Sequence, residues 1–317
     1  MTAIIGEPDE GPLGTYRLHQ MYCLVTSAHN EEKHIGRLIT AVANQSLLPL
    51  RWVIVDDGSS DNTREIIYQH SKIIPWIKLV TLEKKGDVRS FGSKSRAIAK
   101  GIDVAMVDCD YNYIGILDAD VSMSRHYFEE LVRRVEADPY LGIAGGQIYD
   151  LVKDRYVGQN ISLDSVAGAV QFFRTECYRE IGGYREINTG CIDSAAEIEA
   201  RRLGWKVRTY PMLKVFHHRE RGVVDVIRTR FKRGAGYYRL GYHPVFLLAR
   251  CVFRLRERPA LIASVSILWG YIGAWATRTG HIVSSDSIHF LRREQMRKLV
   301  SILCWRPKPM RARRGKE

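Results

Sequence analysis

Two carboxylates separated by one small residue, Asp118 and Asp120 with Ala119 between them, follow the apolar run Ile114–Leu117. An apolar run that ends in polar residues indicates a buried strand that delivers both side chains to its carboxyl end. Carboxylate oxygens suit a divalent cation such as Mg²⁺ or Mn²⁺, especially one that is carried by a diphosphate. Taken alone, such a pair more often marks a turn, with one aspartate capping the backbone and the other solvated.

The composition is that of a globular protein of one large domain or somewhat more, with 317 residues and a net charge of +13. The charge favours anionic partners such as nucleotides, phosphates, acidic lipids or nucleic acid without choosing among them. The six cysteines are scattered and form no CxxC pair, which argues against a disulfide scaffold or zinc site and favours a reducing compartment. Residues 1–20 are polar, lack the apolar core of a signal peptide and are interpreted as a loose lead-in.

Apolar runs alternate with helical patterns from about Tyr22 to Tyr149. This alternation predicts an α/β fold, in which a Rossmann-like, mostly parallel sheet carries helices on both faces. Asn30 is a candidate cap for the first helix, and Gly145–Gly146 interrupts the last strand. The predicted strands are Cys23–Thr26, Trp52–Val55, Ile77–Leu82, Tyr113–Leu117 and Leu141–Ile148.

Three of these strands end in polar clusters, namely Ser27–Glu31, Asp56–Ser60 and Asp118–Asp120. Parallel sheets bind ligands beyond the carboxyl ends of their strands, so we expect the clusters to meet in one crevice. The first turn lacks G-x-G-x-x-G, and Phe91–Ser95 does not form a P-loop. A diphosphate here would therefore be held by a metal and basic side chains.

In order along the chain, five segments resemble motifs of the family 2 glycosyltransferases of the GT-A fold. The resemblance covers roughly residues 21–240 and implies an inverting transferase that uses a nucleotide-diphosphate sugar. The implied GT-A domain spans 21–220, with a nucleotide half at about 21–125 and an acceptor half at about 126–220. The segments are Val25–Glu32, Val55–Thr63, Leu117–Asp120, Ile181–Tyr184 and Asp193–Val207.

The first motif departs from the family pattern, because Ser27 replaces a proline and His29 replaces a tyrosine. The resemblance implies that the nucleoside is held by Ser27, His29, Glu31 and Asp57. It also implies that the Asp118–Ala119–Asp120 segment holds the ribose and the metal, with Asp120 as the direct ligand. Lys94 and Arg96 fall where the family places polar residues near the nucleotide, although a solvated helix face is an alternative for both.

The transfer also needs a base, because a sugar hydroxyl is a poor nucleophile at neutral pH. The family's catalytic Glu-Asp pair aligns with Ile192–Asp193, so the glutamate is lost and Asp193 is the expected base. Asp193 could instead cap its helix, and Glu197 could pair with Arg201 or serve as a substitute base. The lost glutamate leaves open a catalytically silent protein that only binds nucleotide sugars.

One histidine of His217–His218 could complete the metal shell, as the resemblance implies, or be a core residue bonded to backbone; the sequence does not separate the two. Arg230 and Arg233 stand beside Gly234 in a mixture that suggests a mobile segment able to close on the diphosphate. A basic helix face on a membrane is the alternative interpretation.

Residues 221–317 form a predicted basic, amphipathic helical region. The stretch Pro259–Thr277 is uncharged and close to the lower range of a membrane span of about 20 residues. Both flanks are basic, and Trp269 and Trp275 favour an interfacial position. We expect a membrane-associating helix hairpin in the cytoplasmic leaflet, with a true span or an oligomer interface as alternatives.

The expected partners are therefore a nucleotide-sugar donor, a glycan or lipid-linked acceptor, and the anionic inner face of the cell membrane, with Mn²⁺ or Mg²⁺ as cofactor. Nucleic acid is a weak alternative, since no recognition helix, RNA-binding strand motif or zinc module accompanies the basic residues.

Overall fold

The computed structural model of the protein describes residues 21–83, 91–107, 110–185, 187, 190–220, 223–253 and 260–304. The described residues up to Asp225 form one compact unit, and those from Val226 onward form another. The division lies close to the predicted boundary at residue 220, while the two halves predicted within the first unit stay a prediction.

The first unit contains nine strands and six helices among its described residues that precede Val223. The strands are β1 (Tyr22–Ala28), β2 (Arg51–Asp56), β3 (Ile77–Thr81), β4 (Tyr113–Asp118), β5 (Val121–Met123), β6 (Leu141–Val152), β7 (Arg155–Gly158), β8 (Val170–Arg174) and β9 (Lys206–His217). The helices are α1 (Ile35–Ala43), α2 (Thr63–Ile73), α3 (Phe91–Met106), α4 (Tyr127–Ala137), α5 (Thr175–Glu180) and α6 (Ile192–Arg202).

The sheet is mixed, with the order β3-β2-β1-β4-β8-β6-β9-β5 and with β7 on β6. The strands β3, β2, β1 and β4 run parallel, as predicted, because each is reached through a helix. Beyond β4 the expectation of a mostly parallel sheet is wrong. There β8 pairs antiparallel with both β4 and β6, and β5 pairs antiparallel with β9, leaving β6 and β9 parallel.

Burial explains why these elements form. Every residue of β1 is buried, as expected for a central strand. Helix α1 buries the predicted apolar stripe of Ile35, Leu38, Ile39 and Val42. The side chains of α1 and β1 belong to one hydrophobic cluster that also includes β2, β4 and α4. The strands that end in the predicted polar clusters are therefore anchored in the hydrophobic core.

Two local expectations were wrong. Asn30 does not cap the first helix; it has a left-handed φ of 54°, and α1 begins only at Ile35. Gly145–Gly146 does not interrupt β6, which is continuous and shifts register between Gly146 and Gln147. Gly146 is required by close packing, because a side chain there would collide with the carbonyl of Leu213.

The second unit is helical in its described part and contains α8 (Pro244–Phe253), α9 (Ala260–Ala276) and α10 (Ser285–Leu303), together with most of α7 (Val223–Arg239). Gly234 on α7 lies directly against the backbone of Ile267 on α9, and Gly270 lies against Phe231. Gly234 is therefore a packing position inside a continuous helix, while the mobility of this segment stays a prediction. Arg230 and Arg233 lie on α7, and their action on a diphosphate stays a prediction.

None of the helices in the described ranges combines the length and the apolar character needed to cross a bilayer. Helix α9 exposes one apolar face, on which the exposed fractions of Trp269 and Trp275 are 68% and 63%. Val265 and Ile272 lie on the same face at helical spacing and are also exposed.

Candidate active site

The three predicted polar clusters share one edge of the sheet. Strand β1 lies between β2 and β4, and its register places Ala28 beside Asp56 and Ser27 beside Asp118. The ring nitrogen Nδ1 of His29 lies 2.9 Å from the backbone oxygen of Asp57. The convergence that parallel strands predict is therefore present in the structure.

The loops after β1 and β2 are tied to one another by hydrogen bonds. The side-chain oxygen of Asn30 accepts from the backbone N–H of Ser60 at 2.8 Å, and the N–H of Glu31 donates to Oγ1 of Thr63 at 2.7 Å. Asp56 accepts from Nε of Arg64 at 3.0 Å, which gives it a structural role. These contacts fix the loop that carries the predicted nucleoside-binding residues.

Of those predicted residues, Ser27, His29, Glu31 and Asp57 are all buried. Within the described part of the chain the hydroxyl of Ser27 has no hydrogen-bond partner. A buried hydroxyl without a partner is costly, and a ligand could satisfy it.

Lys94 reaches the first aspartate of the pair. Its Nζ lies 2.5 Å from Oδ1 of Asp118. Arg96, two residues further along α3, is exposed, and Ala119 is buried between the two aspartates. The structure thus places Lys94 at Asp118, whereas Arg96 lies on the solvated side of the helix.

Asp120 is held by two cationic groups. Its Oδ2 lies 3.1 Å from Nε2 of His217 and 3.0 Å from Nε of Arg219. Burial opposes the charge on Asp120, but these two partners outweigh it and hold the pKa of the carboxyl well below its usual range. Burial likewise opposes the charge on His217, yet its hydrogen bonds to Asp120 and Asp150 raise its pKa to about 9.

The structure separates the two histidines. His217 contacts Asp120 through Nε2, while Nδ1 lies 3.0 Å from Oδ1 of Asp150. Both ring nitrogens of His218 are engaged elsewhere, at 2.7 Å from the hydroxyl of Ser122 and 2.8 Å from that of Tyr156. Burial lowers the pKa of His218 to about 4. His217 is therefore the candidate ligand of the pair.

The side chains around Asp120 fit a divalent cation. Asp120 and His217 share a hydrogen bond at 3.1 Å, and this separation is also close to the roughly 3 Å between neighbouring ligands of an octahedral cation. Asp150 holds the opposite ring nitrogen of His217, the arrangement that orients histidine ligands. Among the residues described, no three His, Cys, Asp or Glu side chains form a complete cluster, so a diphosphate would have to supply further ligands.

The predicted base, Asp193, lies in the first turn of α6 and is half-buried. Cys191 is the N-cap residue, so the alternative that Asp193 caps the helix was wrong. Asp193 packs against Gly168, where an added Cβ would come within 2.8 Å of its Oδ2. The next residue, Ala169, accepts a hydrogen bond from the N–H of Asp118 at 3.0 Å. A two-residue segment therefore links the base to the aspartate pair.

Glu197, the substitute base, anchors the loop that precedes β8. It accepts from the N–H of Val166 at 2.6 Å and from the hydroxyl of Ser165 at 2.8 Å. Its predicted pairing with Arg201 is present at 3.7 Å. Burial raises the pKa of Glu197 to about 7, against the opposing charge of Arg201 and the bond from Val166. These contacts give Glu197 a structural role.

Tyr184, from the fourth sequence motif, is buried and bonded to a neighbouring side chain. Its hydroxyl donates to Oε1 of the Gln171 side chain. Burial raises its pKa well above the ordinary value, and the charges of Asp193 and Asp118 add to this effect.

Sequence reasoning missed four residues of this arrangement: Arg219, Asp150, Tyr156 and Gly168. The only signal for Arg219 was its position directly after the two histidines. The remaining three follow no motif, and only the pairing of β6, β7 and β9 brings Asp150 and Tyr156 to the histidines.

The sequence and the fold were compared with known proteins. A sequence model of the family described as Glycosyl transferase family 2 matches residues 23–191, more than half of the chain. The 4,4'-diaponeurosporenoate glycosyltransferase of Staphylococcus aureus is 26% identical over 199 residues, which cover 56% of this chain and 50% of that protein. The chain thus spans about half the length of the curated relatives it matches.

Two solved structures show the same fold. The mannosyltransferase PcManGT from Pyrobaculum calidifontis, in complex with GDP-Man and Mn²⁺, has a TM-score of 0.51 and 16% identity, covering 90% of this chain and 81% of that one. TarS residues 1–349 from S. aureus, in complex with UDP-GlcNAc, has a TM-score of 0.52 and 14% identity, with coverage of 89% and 81%. At these identities the likeness is one of fold.

Proposed function

The chain belongs to glycosyl transferase family 2 and has the GT-A fold, and from this premise we propose that it transfers a sugar, with inversion, from a nucleotide-diphosphate donor to a hydroxyl group of a glycan or lipid-linked acceptor. The observation that carries the proposal is the shared sheet edge. Ser27 and Asp118 lie side by side there, and the segment Gly168–Ala169 joins Asp118 to Asp193.

The donor half of the proposal is supported by the buried polar residues that follow β1 and β2. His29, Glu31 and Asp57, with the hydroxyl of Ser27, offer hydrogen bonds to a nucleoside. UDP-GlcNAc and GDP-Man are the donors bound to the structurally similar proteins, so UDP- and GDP-sugars are the donors to test first.

In the proposed reaction Asp193 takes the proton of the acceptor hydroxyl while its oxygen attacks the anomeric carbon. The new carbon–oxygen bond forms as the bond from the anomeric carbon to the diphosphate breaks, and the electron pair leaves with the diphosphate. One displacement by one nucleophile inverts the anomeric centre. Asp193 suits this role because it is half-buried and packs against Gly168, whose neighbour Ala169 accepts from the N–H of Asp118.

We assign Asp120 and His217, with Asp118, to a Mn²⁺ or Mg²⁺ ion. When bound, such a cation supplies positive charge to the departing diphosphate. Lys94 and Arg219 add positive charge at the same edge. Arg230 and Arg233 of α7 are further candidates for contact with the diphosphate.

The second unit is proposed to bind the anionic surface of the cell membrane at its cytoplasmic face. The exposed apolar face of α9, with Trp269 and Trp275, supports this, since tryptophans favour the interface between lipid and water. The net charge of +13 adds attraction to anionic lipids.

The proposal is tested by incubating the full chain with a panel of UDP- and GDP-sugars, with and without Mn²⁺ or Mg²⁺, and measuring free nucleoside diphosphate. We expect metal-stimulated release from at least one donor, and loss of the stimulation in Asp120→Asn. Donor binding without release from any donor would favour the silent nucleotide-sugar binding protein.

A further inference from the structure

Arg219 joins two buried carboxylates that belong to different loops. Its Nη2 lies 2.5 Å from Oε1 of Glu31, after β1, and its Nε lies 3.0 Å from Oδ2 of Asp120, after β4. Glu31 and Asp120 are only 3% and 6% exposed. Since both carboxylates contact one guanidinium, they are close neighbours, and their mutual repulsion requires a positive charge between them.

The side chain of Arg219 itself is 46% exposed, so it can leave this position without crossing the core. It follows directly after the end of β9, two residues beyond His217, and is not part of a regular element. The guanidinium is therefore a partly exposed cation placed on two buried carboxylates.

The oxygen that Arg219 contacts is the one that faces His217. Nε of Arg219 and Nε2 of His217 both lie within about 3 Å of Oδ2 of Asp120. A divalent cation shared by Asp120 and His217 would stand close to the guanidinium, and the two positive charges repel. Binding of the cation and the present position of Arg219 are thus opposed.

We propose that Arg219 is the counter-ion of the donor site. In the metal-free protein it neutralises Glu31 and Asp120 and competes with the divalent cation for Asp120. It gives up Asp120 when the cation enters together with a nucleoside diphosphate. The inference rests on the proposed function, in that it takes Asp120 as a metal ligand. It goes further by assigning Arg219 as a positioning residue that controls when the metal binds.

A diphosphate provides what a metal alone does not. It brings negative charge to the same edge, and a planar guanidinium binds phosphate oxygens in a bidentate manner. Arg219 therefore exchanges one anionic partner for another and loses little. The consequence is a coupling in which Mn²⁺ and the nucleotide each strengthen binding of the other.

The alternative is that Arg219 is only a structural link between the loops and the end of β9. Both roles predict some loss of stability when Arg219 is replaced. They differ in the metal affinity, because a structural link has no reason to weaken Mn²⁺ binding.

The test is the affinity of the full chain for Mn²⁺, measured by electron paramagnetic resonance with and without UDP or GDP, for the wild type and for Arg219→Gln. We expect Arg219→Gln to bind free Mn²⁺ at least about tenfold more tightly than the wild type, since a repelling charge is removed. We also expect UDP or GDP to strengthen Mn²⁺ binding much less in the variant than in the wild type.

The matched control is Arg64→Gln. Arg64 also places Nε 3.0 Å from Oδ2 of a buried aspartate, Asp56, and its side chain is 53% exposed. This control should leave the Mn²⁺ affinity unchanged. Arg219→Lys keeps the charge and should bind free Mn²⁺ about as weakly as the wild type.

Equal Mn²⁺ affinity in wild type, Arg219→Gln and Arg64→Gln overturns the inference and leaves the proposed function standing. Failure of all folded variants to bind Mn²⁺, with or without nucleotide, overturns both the inference and the metal assistance. If Arg219→Gln does not fold, the wild type alone still tests the inference. A wild-type Mn²⁺ affinity that does not change with UDP or GDP contradicts the proposed exchange.

Discussion

The carboxylate of Asp193 lies directly against Gly168, with no room for a side chain between them. A Cβ built on Gly168 would lie 2.8 Å from Oδ2 and 2.9 Å from the Cβ of Asp193. The glycine thus sets how closely the proposed base approaches the segment that contacts Asp118 through Ala169. The relationship makes the position of the base testable without removing its carboxylate.

Gly168→Ala is expected to displace Asp193 and lower kcat by roughly ten- to a hundredfold, because small misplacements of a catalytic group are costly. The KM for the donor should change little, since Gly168 lies on the side of the base. The measurement is steady-state release of nucleoside diphosphate. Gly36→Ala is the control, because a Cβ on Gly36 meets no atom within 4 Å. Wild-type turnover in Gly168→Ala would contradict the claim that Gly168 sets the position of Asp193 for the reaction.

Lys94→Met is expected to weaken binding of UDP or GDP by about tenfold, because a charge-assisted contact at the diphosphate is lost and Asp118 is left without its partner. Calorimetric titration measures the effect. Lys100→Met removes an exposed lysine from the same helix and should bind as the wild type does. Equal affinity in the two variants would place the diphosphate elsewhere.

The free energy of unfolding is expected to decrease as the pH rises from about 4.5 to about 7, because of Glu197. Burial raises its folded-state pKa from 4.5 to about 7, so in this window the folded protein binds the proton that the unfolded chain has released. The free energy of unfolding therefore decreases as pH rises, by on the order of 3 kcal/mol, and this contribution is constant above about pH 7.

Urea denaturation across this pH range checks the effect. Glu197→Gln cannot ionise and should show a shallower decrease than the wild type. The control Glu199→Gln, whose parent carboxylate pairs with Arg202 on the same helix, should keep the wild-type slope. An unchanged slope in Glu197→Gln would show that Glu197 does not carry a raised pKa.

Membrane binding is expected to depend on the exposed face of α9. Replacing Trp269 and Trp275 together by serine should reduce binding to vesicles containing anionic phosphatidylglycerol by at least about tenfold, because most of the apolar face is lost. Sedimentation with vesicles measures this. Met212→Ser, which removes an exposed apolar residue from β9, is the control. If the double variant binds as the control does, another surface mediates any attachment.

The strands β1 to β4 were predictable because β1, β2 and β4 are buried apolar runs and helices separate the four strands. Strands such as β5 and β7 were not, since β5 has three residues and every residue of β7 is exposed. The sequence of β7 carries no buried period and β5 is too short to establish one, so only pairing with β6 and β9 identifies them as strands. The antiparallel course beyond β4 begins with β8, which was not predicted either and which pairs with both β4 and β6.

The residues of the candidate site also include some that the sequence could indicate and some that it could not. Ser27, Asp57 and Asp118 could be proposed because each stands at the end of a strand, and Asp193 because its segment resembles a family motif; their roles stay predictions. Arg219 could not, since its partner Glu31 is 188 residues away along the chain. No local pattern predicts a contact between two loops so distant in sequence.

The most direct measurement compares the wild type with Asp193→Asn, following diphosphate release from UDP- and GDP-sugars in Mn²⁺ while donor binding is titrated in parallel. We predict release by the wild type from at least one donor, a decrease of about a hundredfold or more in Asp193→Asn, and equal donor affinity in both. Equal rates of release in the two proteins, or a folded wild type that binds no donor, would contradict the account.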